Sequence, residues 1–180
     1  LGSEVWIETV IGPLLEVVGD RWHEGKISPA HEHLATATAR EVLGWVVRSF
    51  TPVPDAPLIL IATPAGELHE LGAMMAAVVA AEAGWRVQYL GPNIPAEDLA
   101  SAARQLRANA VALSVVHPDH AARSVDEVRQ LRRSLSASVP IIVGGKTGVA
   151  TAAHLAGVGA TIAADARAFR AELAAVTPVV

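Results

Sequence analysis

Beyond residue 57 the chain alternates short apolar runs with longer helical patterns. The runs are "LILIA" (58–62), "RVQYL" (86–90), "AVALSVV" (110–116), "IIVGG" (141–145) and "ATIAA" (160–164). Each has the length of a buried strand, and the stretches between them, roughly 10 to 18 residues, carry helical spacing. The runs read as continuously apolar rather than alternating, which predicts a parallel sheet covered on both faces. Strand and helix repeated in this way predict an α/β fold, a flavodoxin-like, doubly wound, five-stranded parallel sheet of order 2-1-3-4-5.

The first fifty residues obey another rule. "SEVWIETVIGPLLEVVGDRW" (3–22) and "AHEHLATATAREVLGWVVRSF" (30–50) place apolar residues at helical spacing, with no strand signal. Gly19-Asp20 and "EGKISP" are expected to interrupt these helices, and Ser28-Pro29 makes a helix start. The prolines of "SFTPVPDAP" (49–57) stop any helix and push the preceding residues toward extended geometry. The expected organisation is a small helical cap, a partial helical bundle, over residues 1–52, then a Rossmann-like domain over 56–180.

Composition narrows the function classes. The chain has 180 residues, 52% of them apolar, and a net charge of −4, which argues against nucleic-acid binding by this chain itself. The arginines of "RQLRR" (129–133) fall at helical spacing and read as a solvated face. No uncharged apolar run approaches the roughly 18 residues of a membrane span. There is no cysteine, hence no disulfide or thiolate metal site. A cytoplasmic protein is the expectation.

In an open α/β sheet, ligands bind at the carboxyl ends of the strands, where strand order reverses. With order 2-1-3-4-5, that crevice lies between the first and third strands. "PAGELHELGAMM" (64–75) comes after the first strand and carries Glu67, Leu68, His69, Glu70 and Gly72. Ser114 ends the third strand, with Val116 just beyond, and Gly144-Gly145 closes the fourth. Two residues without Cβ let a bulky group approach the backbone. No GxGxxG comes after the first strand, so a dinucleotide is not expected. Taken singly, His69 also reads as a capping or loop histidine. His117 and His120 in "HPDH" are spaced for zinc, but no third ligand is evident.

The spacing carries a resemblance. Glu67-x-His69-x-x-Gly72, 41 residues, Ser114-x-Val116, 27 residues, Gly144-Gly145 resembles the cobalamin-binding signature Asp-x-His-x-x-Gly, Ser-x-Leu, Gly-Gly. Glu stands for Asp and Val for Leu. The resemblance implies base-off binding with His69 as lower cobalt ligand, Glu67 as its carboxylate partner, and the displaced nucleotide tail passing Ser114 and the glycines. A neutral imidazole suits cobalt, and a ligating histidine usually gives its other N–H to a carboxylate.

Trp22, nine residues, then Glu32-His33 resembles the W-x9-EH motif of cobalamin-dependent photoreceptor regulators of the CarH type, and His23 comes next to the tryptophan as in that family. "GELHELGAM" and "YLGPNIPAEDL" look like the same group. The resemblance implies a light-sensing module for transcription regulation that binds adenosylcobalamin. Trp22 would cover the adenosyl group and Glu32 would bond it. Light would break the cobalt–carbon bond and move the cap, and His23 would become the upper cobalt ligand. Such a module is not an enzyme. Neither a helix-turn-helix nor a basic patch is visible, so the likeness is to the cap and cobalamin domain without the DNA-binding domain. A homo-oligomer or a separate output domain is the expected partner. The alternative is the corrinoid-carrying subunit of a cobalamin-dependent methyltransferase. Read singly, Trp22 suits a core position and Glu32-His33 a solvated pair.

Overall fold

A computed structural model describes residues 2–176, the His120 side chain excepted; the outermost residues of the two expected units, 1 and 177–180, lie outside the described ones. The N-terminal part is helical: α1 (Ser3–Trp6), a π-helical turn (Ile7–Ile11), α2 (Gly12–His23) and α3 (Pro29–Ser49). The π turn ends at Ile11, separated by Gly12 alone from Pro13, which lacks an N–H and would crowd a regular α-helical turn, so the wider turn accommodates it. Contrary to expectation, Gly19-Asp20 does not interrupt α2. A lone glycine costs a helix only about 1 kcal/mol, and the chain leaves the helix at Glu24, ahead of Gly25 with φ +68°. α3 starts as expected at Ser28, whose hydroxyl accepts from His31 N–H, with Pro29 in the first turn.

The second part alternates β1 (Leu58–Pro64), α4 (Leu71–Glu82), β2 (Arg86–Ile94), α5 (Ala96–Leu106), β3 (Ala110–Ser114), α6 (Ala121–Ser134), β4 (Ile141–Gly144), α7 (Lys146–Ala150), α8 (Ala152–Ala156), β5 (Thr161–Ile162) and α9 (Ala166–Ala175). All pairings are parallel and the order is β2-β1-β3-β4-β5, as the alternation predicted. Along β1, Leu58, Leu60 and Ala62 enter one buried cluster with α5 and α6, while Ile59 and Ile61 enter a second with α4 and α9. β2 departs from the both-faces-covered expectation: as an edge strand it keeps Arg86 and Gln88 exposed.

The two parts share a core. Ile7 and Leu43, from the π turn and α3, belong to the same cluster as α4 and the sheet. α4 is thus pressed between α3 and the strands, which explains why "MMAAVVAA" is apolar on every side. No helix among the described residues is long and apolar enough to cross a membrane.

Candidate functional site

The loop after β1 turns on Thr63. Its hydroxyl donates to Glu67 C=O (2.5 Å) and accepts from Asn93 N–H (2.9 Å), and the Asn93 side-chain oxygen accepts from Gly66 N–H (2.7 Å). Asn93 holds φ +60°, a conformation asparagine tolerates better than most residues. β2 therefore clamps the loop from the side and drives the Glu67 side chain inward, where it is 0% exposed.

Both carboxylate oxygens of Glu67 are fully used. Oε1 accepts from His69 N–H (2.9 Å) and from His69 Nδ1 (2.6 Å). Oε2 accepts from the backbone N–H of Val116 and of His117, both at 2.9 Å. Burial by itself would raise the pKa. The amides of His117, His69 and Val116, with the His69 ring, outweigh it and hold the carboxyl at about 2. The group is ionised at neutral pH and can only accept, so the proton of His69 sits on Nδ1 and the Nε2 lone pair is left open. The His69 side chain is 56% exposed, presenting that nitrogen to whatever fills the crevice.

Other candidates gather on this pair. Gly72, on the first turn of α4, faces Ser114: a Cβ there would lie 2.6 Å from the Ser114 hydroxyl oxygen. That hydroxyl is buried and has no hydrogen-bond partner among the described residues. Val116 lies against Gly72 and its C=O accepts from Thr147 (2.8 Å). Leu68 projects outward, 66% exposed, an apolar side chain on the rim of the loop. Gly144 and Gly145 differ in their reasons. A Cβ on Gly144 would make only an ordinary contact, at 3.4 Å. One on Gly145 would lie 2.4 Å from Val115 C=O, at φ +87°. The expectation that both are bare for a bulky ligand is thus amended: Gly145 is bare because strand β3's exit occupies its Cβ position.

Glu70 has a structural task that sequence alone did not assign. Its carboxylate is nearly buried and accepts from Arg40 Nε on α3 (2.6 Å) and from Tyr89 O–H on β2 (2.5 Å). Burial first, and then Glu70, push the Tyr89 phenol upward, so it remains a donor. The cap is thereby pinned one residue away from His69. Lys146 and Glu16 add an exposed ion pair (2.7 Å) between α7 and α2.

The remaining candidates lie at the end of α2 and the start of α3. Trp22 is 44% exposed and packs edge-on against His23, ring centroids 4.9 Å apart. His23 Nδ1 donates to Gly19 C=O (2.8 Å) within α2. Glu32 is paired with His33 Nδ1 (2.7 Å) and Thr36 Oγ1 (2.7 Å). Its pKa is lowered chiefly by the hydrogen bonds from His33 and Thr36. No hydrogen bond among the described residues joins Trp22 or His23 to the loop. Thr63, Asn93, Arg40 and Tyr89 had no motif to reveal them, though Asn93 lies in "YLGPNIPAEDL". The zinc-like spacing of His117 gains no support, since no group of three metal-ligating His, Asp or Glu side chains occurs among the described residues. The His120 side chain lies outside them.

This geometry agrees with comparisons to known proteins. The chain is 34% identical to the HTH-type transcriptional repressor CarA of Myxococcus xanthus over 145 residues, covering 79% of this chain and 47% of the repressor. It is 36% identical to the repressor CarH of the same organism over 138 residues, 77% of this chain and 46% of that one. The chain thus spans about half the length of these curated relatives. In fold it is similar to the monomethylamine corrinoid protein of Methanosarcina barkeri, with a TM-score of 0.75 at 17% identity, covering 98% of this chain and 85% of that one. Residues 57–176 match one family described as a B12 binding domain and residues 4–46 match a second so described. With the sheet order, the Glu67–His69 pair and these matches agreeing, the chain belongs to the B12-binding domain family.

Proposed function

We propose that the chain binds cobalamin base-off, with His69 as lower axial ligand, and serves as a light-responsive sensory module rather than an enzyme. The observation that carries this is the Glu67–His69 pair: a fully buried, ionised carboxylate with four accepted hydrogen bonds keeps the proton on Nδ1 and leaves Nε2 open. Bound there, adenosylcobalamin would supply a light-labile cobalt–carbon bond. The Ser114 hydroxyl, which has no hydrogen-bond partner among the described residues and packs where a Gly72 Cβ would lie, is suited to a polar atom of the nucleotide tail. Trp22 contributes a flat apolar lid, and Glu32 contributes acceptors for ribose hydroxyls. His23 holds Nδ1 on its own helix, so its Nε2 is the nitrogen that would approach cobalt from above after illumination. His33 steadies the Glu32 carboxylate rather than the ligand. Because two repressors are 34% and 36% identical to this chain over about half their length, the output we infer is regulatory, through a longer protein, an oligomer or a partner.

The test is an absorption titration with adenosylcobalamin in the dark and after green light, in wild type, His69→Ala and His23→Ala. The expected result is a base-off spectrum lost in His69→Ala, and a light product with two histidine ligands lost in His23→Ala. Wild-type spectra in His69→Ala would refute the lower-ligand assignment. A light product with water above cobalt would refute the role of His23 and favour the methyl-carrier reading.

A further inference from the structure

His117 has so far entered only through its backbone N–H. The imidazole of His117 lies almost parallel to that of His69, with 18° between the planes and 5.4 Å between the ring centroids. Its backbone N–H donates to Oε2 of the same carboxylate whose Oε1 holds His69 Nδ1. Glu67 therefore sets the relative position of both rings. His117 is itself oriented: its Nδ1 accepts from Asp119 N–H (3.3 Å), and Pro118 begins a tight helical turn directly after it.

A single hydrogen bond anchors an imidazole at one nitrogen, but hydrogen bonds tolerate tens of degrees of misalignment, so the ring can still tilt. The outer torsion of a histidine is broad, with no sharp well to stop that tilt. Glu67 thus limits both side-chain torsions of His69 within the tolerance of one hydrogen bond, and a flat surface against one face narrows the remaining tilt. We propose that His117 is the positioning residue for His69: its ring holds the imidazole plane so that Nε2 points along one direction. This rests on the reading of His69 as a metal ligand. It also predicts that a planar, non-titrating ring should serve as well as histidine.

The experiment uses the full chain, titrated with adenosylcobalamin in the dark and examined as cob(II)alamin by EPR, where the splitting from the axial nitrogen reports its orientation. His117→Ala and His117→Leu remove the flat face, the second with little loss of bulk; His117→Phe keeps it. The expected loss for Ala and Leu is about three- to tenfold in affinity, the range of one aromatic pairing, with a broadened nitrogen splitting. His117→Phe should restore both. Wild-type affinity and splitting in Ala and Leu would overturn the proposal. So would failure of Phe to rescue, which would assign a polar role to His117. His69→Ala separates the two questions: if it binds normally, the ligand reading itself has failed, whereas loss there with unaffected His117 variants refutes only the positioning role.

Discussion

Replacing Glu67 by Gln keeps the shape of the side chain and removes its charge, and the hydrogen-bond pattern sets the consequences. Among the described residues the carboxylate accepts four N–H groups, two at each oxygen. A glutamine has one acceptor oxygen and one donor NH2. With its oxygen toward His69, the NH2 confronts the amides of Val116 and His117, and two buried donors are orphaned. With its oxygen toward those amides, the NH2 faces His69, orphaning one backbone N–H, and Nδ1 must become an acceptor. The second arrangement orphans fewer groups, and it moves the imidazole proton to Nε2, the nitrogen proposed to bind cobalt. Each orphaned donor costs about 1–3 kcal/mol, and changing such a ligand-orienting partner typically lowers metal affinity about 10- to 100-fold. Stability carries a pH signature as well. A carboxyl held at about 2 instead of 4.5 contributes about 3 kcal/mol to folding at neutral pH. Because its folded pKa is depressed, that contribution is complete above pH 4.5 and is lost as pH falls through about 2. Cofactor-free wild type and Glu67→Gln should be unfolded in urea at several pH values from neutral downward, and each titrated with adenosylcobalamin at neutral pH. Glu67→Gln should be about 1–3 kcal/mol less stable at neutral pH, lack the acid-range loss of that group, and bind about tenfold more weakly or worse. Equal stability, an unchanged acid profile and wild-type affinity would refute the reasoning.

Gly145→Ala should lose about 3 kcal/mol or more, or fail to fold, since a Cβ would meet Val115 C=O at 2.4 Å in a backbone region close to glycine-only; urea unfolding decides it, and the same change at Gly144 should be far milder. Arg40→Met keeps the aliphatic stem but leaves Glu70 to Tyr89 alone. We expect a loss of about 1 kcal/mol, kept small because Arg40 is half exposed, and a stability less sensitive to salt; an unchanged melt in low salt would show that the pair is ornamental. Glu32→Ala and Trp22→Ala should weaken binding of adenosylcobalamin more than of methylcobalamin, measured by parallel titrations, and equal losses would point to cap packing rather than recognition of the adenosyl group.

The strands β1, β3 and β4 were readable because burial on both faces makes them apolar without interruption. β2 was readable only up to Leu90: its last residues, Gly91 to Ile94, are partly exposed and irregular in register, and they look like a loop. Gly19 misled because a local penalty was given the weight of a boundary, whereas the neighbouring turns of α2 simply continue through it. In the site, the Glu67–His69 pairing was legible from two residues of separation. The other half of the carboxylate's partners was not, because they are backbone N–H groups 49 and 50 residues away that carry no side-chain signature. Nor were Arg40, Tyr89 and His117, whose neighbours are set by how α3, β2 and the exit of β3 meet in space.

The sharing of one buried cluster by Leu43, Ile7 and α4 bears on how such a chain is cut and recombined. The proline-rich stretch after Ser49 looks like the place to separate a lid from a binding unit, and the family boundaries fall on either side of it. Yet a fragment starting there would uncover the outer side of α4 and leave Met74 and its neighbours facing water. α3 is a single rod of 21 residues, about 31 Å long. Its later turns carry Leu43 into the shared core, while its first turn carries Glu32. The same helix is both wall and lever, so a graft that swaps the lid for another must inherit the segment around Leu43 along with it, or supply a new covering for α4. The unit that can keep its core intact is therefore the pair of matched regions together, with the structural seam lying inside α3 rather than at the prolines.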